Sequence, residues 1–203
     1  SMPNIKVGKF ITQVILQNIE VEDIDLSNAT DLRSAWVQNN PALQKLDLSY
    51  STIWGQGDKE TEGNGTYGSS LMVLGCPILK EIKLPEKNEL KAYRIDIECL
   101  DALETFDMSN VKMVAELSIG DLNKDFNLVY PELTIFYSED GYAGTYFACS
   151  ENTFYRESTQ AFLKANYTDI DPDDTVRRLG YTSSLSYDKN LSLIHISEPT
   201  RRS

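Results

Sequence analysis

The side chains able to do chemistry are many in number but few in kind. The only histidine, His195, lies in the closing stretch LSLIHISEPTRRS, near Glu198 and Arg201. Imidazole is the usual general base near neutral pH, so this grouping invites a catalytic reading. The body of the chain offers no Ser-His or Cys-His pairing to support it, because it contains no other histidine. Carboxylates are the remaining route. Among 31 Asp and Glu residues a general acid beside a general base is easily assembled, as in polysaccharide-cleaving enzymes. Acidic excess is more often a solvated face, and the chain is expected not to be an enzyme.

Metal and cofactor chemistry finds little purchase. Asp169, Asp171 and Asp173 alternate as in a calcium loop, but Asp174 stands where that loop needs Gly and Gly180 where it needs a bidentate Glu. The segment DPDDTVRRLGY is therefore read as a capped helix. Three cysteines, Cys76, Cys99 and Cys149, form no CxxC pair, so zinc is not expected. They are expected as buried free thiols, with a Cys76–Cys99 bridge left open for an exported chain. No GxSxG, P-loop or GxGxxG motif stands between a strand and a helix, and no cofactor is expected.

Composition narrows the partners. The net charge is −12 and no basic cluster interrupts it, which argues against nucleic acid. No apolar run reaches the ~18 residues of a membrane span, so no membrane insertion is expected. The opening SMPNIK shows no signal peptide.

The elements that must position any site come from a repeat. IDLSNAT from Ile24, LDLSYST from Leu46 and FDMSNVK from Phe106 share apolar–Asp–apolar–Ser, with Val21, Leu43 and Leu103 upstream. The frame LxxLxL returns in degraded form as Leu79-Ile82-Leu84, Leu90-Tyr93-Ile95 and Val114-Leu117-Ile119. Ile11-Val14-Leu16 and Leu133-Phe136 are the weakest copies. Apolar residues at period 2 point inward from a short strand, and one such unit cannot bury its face alone, so copies must stack. Val21 to Leu43 and Leu79 to Leu103 each span one repeat length. The half-steps Leu79 to Leu90 and Leu103 to Val114 imply a second strand on the opposite face.

Between these strands, TDLRSAWVQNN and GSSLMVLGCP are expected as short helices, ended by Pro41 and by Gly75 with Pro77. Residues 54–70, rich in Gly and charge, read as an insertion loop.

The segment CPILKEIKLPEKNEL, with Cys76, Leu79, Ile82, Leu84 and Pro85, resembles the bacterial surface-antigen (BspA-like) leucine-rich repeats. The resemblance runs from about Ile11 to Tyr137. It implies a leucine-rich-repeat solenoid, α/β to mainly β, with irregular repeats. Short strands would form a concave sheet, short helices or loops the convex side, and an atypical cap would close the C-terminal end. It also implies a cell-surface or secreted protein.

Stacking would bring outward strand residues into register. Asp25, Asp47, Lys83, Arg94, Asp107 and Ser118, flanked by Asp23, Lys45, Glu81, Thr105 and Glu116, would form a ligand-binding ladder. Such positions are also polar simply because they face water, and Asp-x-Ser can be structural, with Ser bonding backbone at the strand end. Trp54, Tyr67 and Tyr142 are alternative contacts. The expected function is non-catalytic recognition of a protein or glycan at a bacterial surface. A carbohydrate-active enzyme with paired carboxylates, or a spacer in a surface or phage-tail protein, are the alternatives.

The solenoid is expected over 1–150, and a helical C-terminal segment or the start of a following region over 151–190, including a helix at Glu157 to Asn166 with Phe162 and Leu163 inward. Residues 191–203 stand apart. Leu191 to Arg201 is similar to the translated transposase end and adapter of tagmentation sequencing libraries, and is read as an artefact that makes no organised packing.

Overall fold

A computed structural model describes residues 4–56, 68–122, 127–134, 138–139, 142–143, 145–167 and 193–197. The chain begins β1 (Asn4–Lys6), β2 (Gln13–Gln17), β3 (Asp23–Asp25), β4 (Ser34–Gln38) and β5 (Lys45–Asp47). It continues β6 (Ser70–Leu74), β7 (Glu81–Lys83), β8 (Leu90–Leu100), β9 (Thr105–Asp107), β10 (Val111–Leu122) and β11 (Asn127–Val129). A hairpin of β12 (Ser138–Glu139) and β13 (Tyr142–Ala143) precedes β14 (Tyr146–Cys149), and helices α1 (Glu151–Phe154) and α2 (Glu157–Asn166) follow. The last described element is β15 (Leu193–Ser197).

Successive strands alternate between two layers. The main sheet is seven-stranded, in the order β14-β10-β8-β6-β4-β2-β15, and is parallel except for β15. The other layer holds a four-stranded sheet, β11-β9-β7-β5, and the pair β1-β3, all parallel. Each strand buries its alternate residues. Leu16, Val37, Val73, Ile97 and Ile119 stand in register inside the main sheet, and Ile24, Leu46, Ile82, Phe106 and Leu128 line the other side of the same core. At about 1.5–3 kcal/mol for each fully buried large side chain, these rows outweigh any local helix preference.

This arrangement corrects the expected fold. Among the described residues, three mainly parallel sheets and two short helices make the architecture, not a leucine-rich-repeat solenoid with helices on a convex side. Both segments expected as intervening helices are strands, β4 and β6. Their apolar residues fit period 2 as well as period 3.6, and tertiary burial of Ala35 with Val37 and of Leu71 with Val73 decides the outcome. The expectation of a second strand at each half-step does hold, in β8 and β10.

The chain leaves the main sheet at one recurring corner. Asn18, Asn39, Gly75, Cys99 and Asp121 all have positive φ, between 46° and 64°. Each directly follows, or in β8 and β10 falls within, a main-sheet strand, and Asn and Gly are the residues that adopt this conformation most cheaply. Asn39 Nδ2 donates to Asn18 Oδ1 at 2.8 Å, linking two corners.

The expected helix at Glu157–Asn166 is present, with Phe162 and Leu163 buried. Phe162 stacks on Tyr130 at 4.7 Å and lies 5.4 Å from Phe147, so α2 closes the β14 end of the core with aromatic rings. The helix expected over 171–181 lies outside the described residues. The tail does not behave as expected: β15 pairs antiparallel with the whole of β2. An apolar strand beside a free sheet edge finds unpaired amides and carbonyls there, whatever the origin of its sequence.

The start of the expected insertion loop is also part of the fold. Trp54 is fully buried, with its indole N–H donating to Ser70 O at 3.2 Å. Next to it Gly55 has φ +83°, and a Cβ there would stand 2.5 Å from Leu90 Cδ2. Gly55→Ala should therefore destabilise the protein by about 2 kcal/mol or more, measured as a lower urea midpoint at unchanged m-value.

Candidate functional site

Eight of the eleven ladder residues lie on the outside of the thinner layer. In β3, β5, β7 and β9 a single inward residue is flanked by two outward ones: Asp23 and Asp25, Lys45 and Asp47, Glu81 and Lys83, Thr105 and Asp107. Lys45 is opposite Glu81, Asp47 opposite Lys83, and Glu81 opposite Thr105. Asp23 and Asp25 belong to the separate β1-β3 pair, opposite Asn4 and Lys6.

Three of these aspartates have a local task. Oδ1 of Asp25, Asp47 and Asp107 accepts the backbone N–H of Ser27, Ser49 and Ser109 at 2.9, 2.9 and 2.8 Å. The repeated Asp-x-Ser is therefore an Asx turn, in which Asp is the acceptor and Ser supplies its amide. This reverses the expected roles. Bonding from Ser27, with the charge of Lys6, holds the Asp25 carboxyl below its ordinary value.

The remaining charges on this face are cross-linked. Lys45 Nζ lies 3.1 Å from Glu81 and 3.8 Å from Asp47, and Lys83 Nζ lies 3.2 Å from Glu86. Glu81 and Glu86 raise the pKa of Lys45 and Lys83 respectively, which keeps both ammonium groups charged. As exposed pairs they add little to stability. Beside them opens a cavity of about 260 Å³, lined by Glu81, Lys83, Glu86, Thr105, Asp107 and Asn110 over a floor that includes Ile82 and Leu84. It offers one cation, three carboxylates, a hydroxyl and an amide around one small volume.

Arg94 and Glu116 do not join this ladder. They lie on β8 and β10 in the main sheet, opposite each other, with Arg94 Nε donating to Glu116 Oε2 at 2.7 Å and Nη2 to the same oxygen. Ser118 is on that sheet too. The half-step spacing put these strands on the opposite layer, so their outward residues face the other way. Trp54 is a core residue, not a contact. The side chains of Tyr67 and Tyr142 lie outside the described residues, as do Asp169, Asp171 and Asp173.

One arrangement escaped the ladder altogether. On β8, Asp96 and Glu98 point to the same outward side and share a hydrogen bond. Asp96 has Met72 and Ser118 as strand neighbours, and Glu98 has Leu74 and Gly120. Asp96 Oδ1 and Glu98 Oε2 are buried without a hydrogen-bond partner, as is Trp36 Nε1 one strand beyond Met72. Desolvation and the Asp96 charge push Glu98 up to about 8, and desolvation raises Asp96 as well. The signal was present in Arg94-Ile-Asp-Ile-Glu98, where strand alternation places both acids on one face.

None of the three thiols is in a disulfide and all are buried, with Cys76, Cys99 and Cys149 each pushed up to about 12, chiefly by desolvation. Among the described residues no group of His, Cys, Asp and Glu is placed to hold a metal ion. No helix there is long and apolar enough to cross a membrane.

No protein-family model, no curated protein and no solved structure matches the chain.

Two outcomes test this geometry. Asp47→Ala should lower stability by about 1 kcal/mol, while Asp47→Asn, which keeps the Asx acceptor, should stay close to the parent in urea melts. The second concerns pH. An unfolded glutamate loses its proton near 4.5, whereas folded Glu98 keeps it to about 8. Between these values the folded state binds more protons, so stability should fall as pH rises through that window and level off above it. The slope is bounded by ~1.4 kcal/mol per pH unit for one proton. Glu98→Gln should remove most of that slope and be the more stable protein at pH ~9, read from urea midpoints across pH.

Proposed function

We propose that the chain is a non-catalytic recognition module that binds a protein or glycan through the charged face of β5, β7 and β9. The observation carrying this reading is the convergence of Glu81, Lys83, Thr105 and Asp107 on one cavity of about 260 Å³. The ammonium groups on this face are fixed charges and the hydroxyl and amide are neutral hydrogen-bonding groups. Such a set orients and holds a polar ligand, one sugar ring or one charged side chain in size, without moving protons. The likeness of Cys76 to Leu90 to surface-antigen repeats is what suggests a bacterial cell-surface setting.

One observation favours the catalytic alternative: Asp96 and Glu98 hold a proton to an unusual pH. Their spacing weakens it. Glycoside-cleaving carboxyls stand about 5–5.5 or 6.5–9.5 Å apart to admit an anomeric carbon or a water, whereas carboxyls that share a hydrogen bond leave no such room.

Binding to a panel of acidic and neutral polysaccharides, by calorimetry, separates these readings. Lys83→Glu should reduce affinity for any polysaccharide that binds by tenfold or more, about 1.4 kcal/mol, with Glu98→Gln unchanged. Cleavage of a polysaccharide that is lost in Glu98→Gln would replace the binding reading with the catalytic one. Unaltered binding after charge reversal at Lys45 and Lys83 would leave the spacer role.

A further inference from the structure

The edge of β2 is built to accept a strand, and the sequence of β2 says which one. β15 lies along it with Ile194 opposite Leu16, His195 opposite Ile15 and Ile196 opposite Val14. Residues Leu191 to Arg201 carry the adapter-like sequence, and on that reading a strand foreign to the protein sits in a full antiparallel register. A sheet edge that pairs completely with a strand never selected for it is one with no device against pairing: β2 contains no proline, no lysine and no charge of any kind.

β2 reads Gln13-Val14-Ile15-Leu16-Gln17, close to a palindrome. Laid antiparallel on a second β2 about Ile15, it would set Val14 against Leu16, Gln13 against Gln17 and Ile15 against its own copy. That is the register β15 uses, with Ile15 of the other chain in the position of His195. Directly opposed residues in an antiparallel pair share a face, so the buried Val14 and Leu16 of both chains would continue one core. The Gln13 and Gln17 amides, which can donate and accept, would pair across it. The segments around β1 and β2 carry an apolar fringe: Phe10 is 63% exposed and Ile5, Ile11 and Ile19 are only partly buried.

We propose that the β2 edge is a homodimer interface, where a second copy of this chain adds its own β2 antiparallel about a twofold axis through Ile15. The two main sheets then join into one. This rests on reading Leu191 to Arg201 as adapter-derived, with β15 occupying the place of the partner strand. A self-complementary patch of this kind is what a twofold interface requires.

The test keeps the full chain. Replacing the adjacent residues Ile194 and His195 with proline removes an amide from β15 whichever of the two faces β2, and should free the edge. Light scattering should then show the mass per particle doubling with rising concentration, while the parent chain stays monomeric. Adding Ile15→Lys, at a half-buried outward position, sets two ammonium groups opposite each other and should return the protein to monomer. A proline variant with unchanged circular dichroism that stays monomeric at every concentration would overturn the proposal, as would a dimer that survives Ile15→Lys. A gene read continuing in frame through Leu191 to Ser203 from genomic DNA would overturn it as well.

Discussion

Parallel register between inward rows is the constraint on which the rest depends. A strand of three residues, such as β5, β7 or β9, has no independent stability. It persists because Leu46, Ile82 and Phe106 fall in line with one another and face the Val37, Val73 and Ile97 row of the main sheet. Keeping both rows in step requires the chain to turn out of the main sheet at the same height each time. The positive-φ corners at Asn18, Asn39, Gly75, Cys99 and Asp121 do this, and the outward residues fall into columns as a result.

Those inward rows were legible from the sequence, because Val21, Leu43, Leu79 and Leu103 with their period-2 partners obey one frame. The intervening strands were not. TDLRSAWVQNN and GSSLMVLGCP are too short for their apolar spacing to separate strand from helix, and only the neighbouring strand supplies the deciding contacts. The ladder was legible to the extent that its strands share a layer. Asp25, Asp47, Lys83 and Asp107 are on that layer, but Arg94 and Glu116 obey the same frame on the other sheet, and a frame has no sign for inside or outside of a particular layer. Asp-x-Ser announced a repeated turn without saying which residue accepts. The Asp96–Glu98 pair was visible as alternation, yet its desolvation comes from Met72, Leu74 and Gly120, which are distant in sequence.

The two outer faces consequently differ in electrical character. On the thinner layer, opposite charges neutralise one another through contacts such as Lys45–Glu81, and the raised pKa of Lys45 keeps its ammonium group charged. On the main sheet, Arg94 neutralises Glu116, and two further acids on the same strand share a proton instead of a cation. A chain of net charge −12 lowers its self-repulsion in both ways.

The buried cysteines carry a consequence of another kind. Cys76, Cys99 and Cys149 are all shielded from solvent, and their raised pKa values leave almost no thiolate, the form that attacks oxidants and disulfides. The fold owes nothing to a cross-link and offers little for glutathione or peroxide to react with. Its stability is thus uncoupled from redox potential, and the same packed core serves equally in a reducing interior and an oxidising exterior.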